Sequence, residues 1–148
     1  MERWEPDPAE LRRLREESRD VVKETPVFSF GALSRRCGGD VFLKAENLQR
    51  TGSFKLRGTS VKLRVDPAAA ERGVVTGSAG NHGQALAYAA RARGIPCTIF
   101  MPVEAAVTKI EAVGAFGAEV RGEGTSVDDS IAAARRLAEE EEIGRAHV

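Results

Sequence analysis

The sequence predicts an α/β protein whose core is an open parallel sheet assembled from βαβ units. Three observations predict it. Short apolar runs at 73–76, 97–101 and 119–120 alternate with helix-length stretches at 81–93, 106–116 and 125–142. Glycine or proline punctuates the changes: Gly94 and Gly117 follow helical stretches, and Pro102 closes an apolar run. The intervening stretches are long enough for the crossover helices that parallel neighbours require, and right-handed crossovers are expected.

In chain order, residues 7–23 read as a strongly charged helix with Leu11, Leu14, Val21 and Val22 as its apolar positions, ended by Pro26. Val27-Phe28-Ser29-Phe30 is a short extended piece or turn. Gly38-Gly39-Asp40 signals a turn, and residues 41–46 follow as a short strand. A glycine-containing turn then leads into a helix from about residue 54 to residue 64. Beyond Pro67 the pattern becomes regular. Gly73-Val74-Val75-Thr76 is a strand, residues 81–93 an alanine-rich helix, and Cys97-Thr98-Ile99-Phe100-Met101 a strand. A helix over 106–116, the short strand Glu119-Val120 and a helix over 125–142 complete the series. Thr125 or Ser126 is the expected cap of the last helix, with Asp128 and Asp129 in its first turn. The final Ile143-Gly144-Arg145-Ala146-His147-Val148 is expected to end without a strand. One reading frame of a common short-read sequencing adapter encodes the same hexapeptide, so residues 143–148 are expected to be a non-native tail, the alternative being an ordinary frayed C-terminus.

Composition narrows the function classes. The 148 residues carry 22 basic and 22 acidic side chains. A nucleic-acid or anionic-membrane partner would show as a basic excess, and there is none. Cys37 and Cys97 lie far apart without CxxC spacing and read as reduced, partly buried thiols; with only two histidines, no metal site is expected. Met1-Glu2-Arg3-Trp4-Glu5-Pro6 lacks the apolar region of a secretory signal, and no apolar stretch approaches bilayer-spanning length. The expectation is a soluble, cytoplasmic protein.

Two runs carry chemistry. The first is Thr51-Gly52-Ser53-Phe54-Lys55-Leu56-Arg57-Gly58, which places Lys55 at the first turn of a helix. The positive end of the helix dipole lowers the cost of losing a proton there, and a neutral amine is what attacks a carbonyl. Alone this is weak, because most helical lysines are solvated surface charges. The second run, Thr76-Gly77-Ser78-Ala79-Gly80-Asn81-His82-Gly83, joins a strand to a helix through small and polar residues. Its glycines admit close backbone approach, and the helix start behind it suits a carboxylate or a phosphate. The spacing matches neither GxGxxG nor a Walker A loop.

Together the two runs resemble the family of pyridoxal-phosphate enzymes that contains threonine dehydratase, serine dehydratase and serine racemase. The matching segments are Lys44-Ala45-Glu46-Asn47-Leu48-Gln49-Arg50-Thr51-Gly52-Ser53-Phe54-Lys55-Leu56-Arg57-Gly58 and Ser78-Ala79-Gly80-Asn81-His82. Thr25-Pro26, Thr98-Ile99-Phe100-Met101-Pro102 and Gly117-Ala118-Glu119-Val120 also look like family positions, so the resemblance runs from about residue 25 to residue 140. It implies a tryptophan synthase beta-like fold of two domains, incomplete here. Residues 1–46 would be an N-terminal piece of the larger α/β domain, and residues 47–142 the small βαβ domain.

The implied cofactor is pyridoxal 5'-phosphate, held covalently by Lys55. Phe54 would pack beside the pyridine ring, and Asn81 would hydrogen-bond the cofactor's phenolic oxygen. Ser78, Ala79, Gly80, Asn81 and His82 would bind the carboxylate of an amino-acid substrate. Lys55 would also remove the Cα proton, the β-hydroxyl would leave, and the aminoacrylate would hydrolyse to a 2-oxo acid and ammonia. Racemases of this family commonly carry a second serine where this chain has Ala79, which has no titratable group, so dehydration is favoured over racemisation. The resemblance implies a homo-oligomer for the complete enzyme.

The family's glycine-rich phosphate cup and its pyridine-nitrogen residue have no match in this sequence, Glu123-Gly124-Thr125 being too short. The chain alone is therefore expected to bind cofactor weakly and to be inactive, with Val27, Phe28 and Phe30 lacking partners. Within the same chemistry the alternatives are a serine racemase or a β-replacing synthase. From another class, a stand-alone module could hold an amino acid or small carboxylate without cofactor, but it would have no need of Ser53-Phe54-Lys55.

Overall fold

A computed structural model describes residues 7–65, 71–141 and 143–145. Helix α1 (Pro8–Glu17) starts at Asp7, whose carboxylate accepts from the Ala9 N–H at 2.9 Å, with proline in the first turn. It is shorter than the 7–23 stretch. The Ser18 hydroxyl donates to the Leu14 carbonyl at 2.7 Å, and the chain then turns so that Val21 joins the core beside Leu56 and Leu63. Val21 is thereby buried, whereas Leu11 stays exposed.

Strand β1 (Val27–Ser29) pairs antiparallel with β2 (Phe42–Lys44), with Phe28 opposite Leu43. Between them lies α2 (Gly31–Cys37), a helix that the sequence pattern does not announce. Gly38 ends it in the left-handed region at φ 68°, and the Ser34 hydroxyl donates to the Phe30 carbonyl while receiving the Val41 N–H. β2 stops earlier than residue 46 because a 3-10 turn, Glu46–Leu48, begins there.

The rest is the parallel sheet. After α3 (Lys55–Val65) come β3 (Val74–Gly77), α4 (Asn81–Arg91), β4 (Cys97–Met101), α5 (Val107–Gly114), β5 (Glu119–Gly122), α6 (Val127–Glu140) and β6 (Gly144–Arg145). The strand order is β5-β4-β3-β6, with all pairings parallel. Alternation along the strands sorts the two faces. Val74, Ile99 and Met101 pack with α3, α4 and Val113 of α5, whereas Val75 and Phe100 pack with Ala133, Ala134 and Leu137 of α6. β3 is buried along its whole length, as expected of a central parallel strand covered by helices on both sides.

Ser126 caps α6, not Thr125: its hydroxyl accepts the Asp129 N–H at 3.1 Å while the Asp129 carboxylate accepts the Ser126 N–H at 3.0 Å. The tail corrects an expectation. Gly144 and Arg145 pair in parallel with Val74 and Val75, because the second edge of β3 is open to them and Ile143 packs on the cluster under α6. The cysteines also differ from expectation. Cys37 is exposed, and Cys97 is buried on β4, where burial pushes its thiol up to about 12. The boundary at Pro67 and residues 146–148 lie outside the described residues. Among the described residues, no helix is long and apolar enough to cross a membrane.

Candidate functional site

Lys55 is the first residue of α3, preceded by a tight turn in which Gly52 takes φ 70° and its N–H meets the Gln49 carbonyl at 2.8 Å. The amine stands 5.5 Å from the centre of the Phe54 ring, and Phe54 is 62% exposed. An aromatic face that large, left open beside a primary amine, is the wrong design for a core and a usable one for a flat ligand. Thr51 and Ser53 are buried, and their hydroxyl oxygens have no hydrogen-bond partner among the described residues. The turn is therefore not held by its own side-chain hydroxyls.

The 78–82 loop is built differently. The Ser78 N–H bonds the Phe100 carbonyl at 2.9 Å, which extends the β3–β4 ladder one residue past the strand. Its hydroxyl oxygen accepts the N–H groups of Gly80 and Gly83 at 3.3 and 3.1 Å. With both acceptor sites engaged, the hydroxyl proton is left to donate outward. A Cβ at Gly83 would lie 2.9 Å from the Ser78 carbonyl oxygen, so glycine permits this closed loop. A Cβ at Gly77 would lie 2.4 Å from the backbone of Ser130 and Ile131, so α6 crosses directly over the end of β3. At Gly80, by contrast, a Cβ would meet nothing within 4 Å. Open space thus stands over the loop, at the amino end of α4, where no side chain caps the helix. The loop leaves the carboxyl end of β3, with β4 on one side and β6 on the other, which is where open parallel sheets bind ligands.

Lys55 and Asn81 open α3 and α4, and these two helices pack directly on each other through Leu56, Leu63, Ala85, Leu86 and Ala89. That packing places both candidate segments on one rigid pair. They do not share the open cleft of about 900 Å³ between α1, the hairpin and α3. Phe54 and Arg57 line that cleft, and neither Lys55 nor residues 78–82 do. Asn81 is exposed, while Ala79, Gly80 and His82 are half-buried.

Residue-by-residue reading of the sequence assigned no role to the polar network next to Lys55. Arg57 donates to Glu46 through Nε at 2.9 Å and through a terminal nitrogen at 2.7 Å, and the Thr25 hydroxyl donates to the same carboxylate at 2.5 Å. Arg57 foremost, with Thr25 and Lys44 adding, holds the Glu46 carboxyl below the usual carboxylate range in spite of its partial burial. Gln49 is buried and uses both ends of its amide on Lys23: Oε1 accepts the N–H and Nε2 donates to the carbonyl, each at 2.8 Å. All of these positions except Lys23 lie inside the segments that carry the family resemblance, which was the available signal.

A family model described as pyridoxal-phosphate dependent enzyme matches residues 19–147. Among curated proteins, the chain is 41% identical over 131 residues to an L-threonine ammonia-lyase of Thermotoga maritima, covering 88% of this chain and 33% of that protein. It is 40% identical over 138 residues to a serine racemase of Homo sapiens, covering 90% of this chain and 41% of that protein. Among solved structures, the processed form of threonine deaminase isoform 2 from Solanum lycopersicum superposes with a TM-score of 0.81 at 31% identity, over 99% of this chain and 42% of that one. The chain thus spans well under half the length of each of these relatives.

Proposed function

This chain belongs to the family of pyridoxal-phosphate dependent enzymes, and we propose that the protein's reaction is dehydration of threonine or serine to a 2-oxo acid and ammonia. The residues present fit the cofactor. A primary amine, an adjacent exposed aromatic face and an exposed amide at Asn81 match an aldehyde, a flat heteroaromatic ring and a phenolic oxygen. Bound there, the cofactor supplies an electron sink for the electrons left when the Cα proton is removed.

The chain's own groups then divide the work. Lys55 would hold the cofactor, and its amine would be the base for the Cα proton. Phe54 would pack beside the ring, and the Asn81 side chain would donate to the phenolic oxygen. The Ser78 hydroxyl, with its lone pairs already engaged by Gly80 and Gly83, donates to the substrate carboxylate above the amino end of α4. Ala79 and His82 complete the loop around that carboxylate. The observation that carries the reading is this preformed loop on the helix packed against α3, whose first residue is Lys55.

Relatives named ammonia-lyase and relatives named serine racemase match at similar identity, so the choice between reactions rests on Ala79. Its methyl group can neither give nor accept a proton, so the second hydroxyl that would serve a racemisation from that position is missing.

The test is pyridoxal phosphate titration followed by assay with L-threonine and L-serine, with Lys55→Ala as control. In the full-length protein we expect a stoichiometric, Lys55-dependent absorbance band and ammonia release from both amino acids. In the 148-residue chain we expect at most weak binding and no ammonia. A full-length protein that binds the cofactor but releases D-serine instead of ammonia would overturn the dehydratase assignment. Amino-acid binding that survives Lys55→Ala without cofactor would instead support a non-catalytic module.

A further inference from the structure

We propose that the Glu46–Arg57 pair is a positioning latch that fixes the orientation of Lys55, an inference that rests on the reading of Lys55 as the cofactor-holding amine. Arg57 lies two residues beyond Lys55, in the first turn of α3, and reaches back across the turn to Glu46 with two parallel hydrogen bonds at 2.9 and 2.7 Å. The Glu46 carboxylate also receives the Thr25 hydroxyl at 2.5 Å, and the Lys44 amine donates to the Thr25 carbonyl at 3.0 Å. One carboxylate thereby ties the entry to β1, the 3-10 turn and α3. Gln49 adds a second clip, gripping both backbone groups of Lys23 at 2.8 Å.

Residues 23–25 act as a rail, and the 46–57 loop is fastened to it at Glu46, Gln49 and Arg57. Between the last two clips, the buried hydroxyls of Thr51 and Ser53 bond nothing among the described residues. The direction of the Lys55 side chain is therefore set by the fastenings on either side of the turn. A fork is needed for two parallel bonds to one carboxylate, so Arg57→Lys is not a conservative change here.

The test uses the full 148-residue chain with Glu46→Gln, Arg57→Lys and the reciprocal pair Glu46→Arg with Arg57→Glu. Each is treated with pyridoxal phosphate and borohydride at a temperature where its circular dichroism is that of the folded parent. Labelling of the Lys55 peptide is followed by mass spectrometry, alongside amide hydrogen exchange. Each single variant is expected to label about tenfold more slowly, the effect of about 1.4 kcal/mol. Protection should fall in residues 50–57 and hold in residues 83–90, and the reciprocal pair should recover most of both. A purely structural pair would lower the melting temperature and leave the labelling rate of folded chain unchanged, which would overturn the latch. If Lys55 is labelled in neither this parent nor the full-length protein, the cofactor reading fails; whenever the parent is not labelled, exchange alone decides. Unchanged protection of residues 50–57 in Glu46→Gln then overturns the latch, and selective loss sustains it.

Discussion

At position 79 the chain carries a methyl group, and the proposed preference for dehydration over racemisation rests on it. A well-placed acid–base group contributes roughly 10²–10⁴-fold to a proton-transfer step. Ala79→Ser in the full-length protein should therefore raise D-serine formation from L-serine by about tenfold or more, read by chiral chromatography of the product. No change in D-serine would remove Ala79 as the discriminating residue. Two glycines a few positions apart show how differently one residue type can be used. Gly77→Ala forces a methyl to within 2.4 Å of the Ser130 and Ile131 backbone, so α6 must shift. The cost should be about 1–3 kcal/mol in denaturant unfolding, as for other overpacked sites. Gly80→Ala meets no atom within 4 Å and should alter stability by about 0.5 kcal/mol or less. Its methyl enters the space assigned to the substrate carboxylate, so substrate binding should weaken in the full-length protein. Equal losses of stability in the two variants would contradict this division between a packing glycine and a ligand-facing one.

At the level of elements, the decisive unit is the turn from Glu46 to Arg57, and its behaviour with pH follows from the carboxylate at its root. The Glu46 carboxyl is held below its ordinary range, first by the hydrogen bonds from Arg57. A group whose folded pKa is depressed contributes stability that is full above the unfolded value, about 4.3 for glutamate, and is lost as pH falls through the folded value. Exchange protection of residues 50–57 should thus hold at neutral pH and fall on acidification below about pH 4. Glu46→Gln should flatten that dependence, and a parent profile no steeper than the variant's would refute the linkage.

The same turn shows what could be read in advance. β4 was legible to the residue as Cys97–Met101, because an apolar run closed by Pro102 leaves little freedom. Lys55 and the Ser78 loop stand out in the sequence because each is a compact run of residues, and the structure puts them at the start of α3 and between β3 and α4. Helix α2 was not, since Gly31 opens it and seven residues hold too little periodicity to register. The roles of Thr25, Glu46 and Arg57 were hidden for another reason. Their hydrogen bonds join positions 11 to 32 residues apart, and no local pattern encodes a partner at that distance.

The whole molecule divides into a well-buried sheet and a thinly covered hairpin, and the division has a measurable consequence. β3 and β4 lie between α4 on one side and α6 on the other, with Ile99 and Leu86 fully buried. Among the described residues β1 and β2 pair only with each other, and Val27, Phe28, Phe42 and Leu43 are each 45–63% exposed. A two-stranded hairpin is marginally stable on its own in water. At its base Thr25, Lys44 and Glu46 are joined to one another, and Arg57 ties Glu46 and Thr25 to α3. Opening free energy should therefore vary sharply along the chain, from small values at the hairpin to the global value in the sheet. Native-state hydrogen exchange should find the amides of Val75, Thr76, Ile99 and Phe100 among the slowest, exchanging only with global unfolding. Those of Phe28 and Leu43 should exchange by local opening whose cost is nearly independent of low denaturant. Exposed aromatic and branched side chains on the hairpin should also bind a hydrophobic dye, and Phe28→Ser with Phe42→Ser should remove most of that signal without lowering protection in β3. If the hairpin amides exchanged as slowly as those of β3, the chain would be one cooperative unit, and its apolar hairpin surface would be covered in solution.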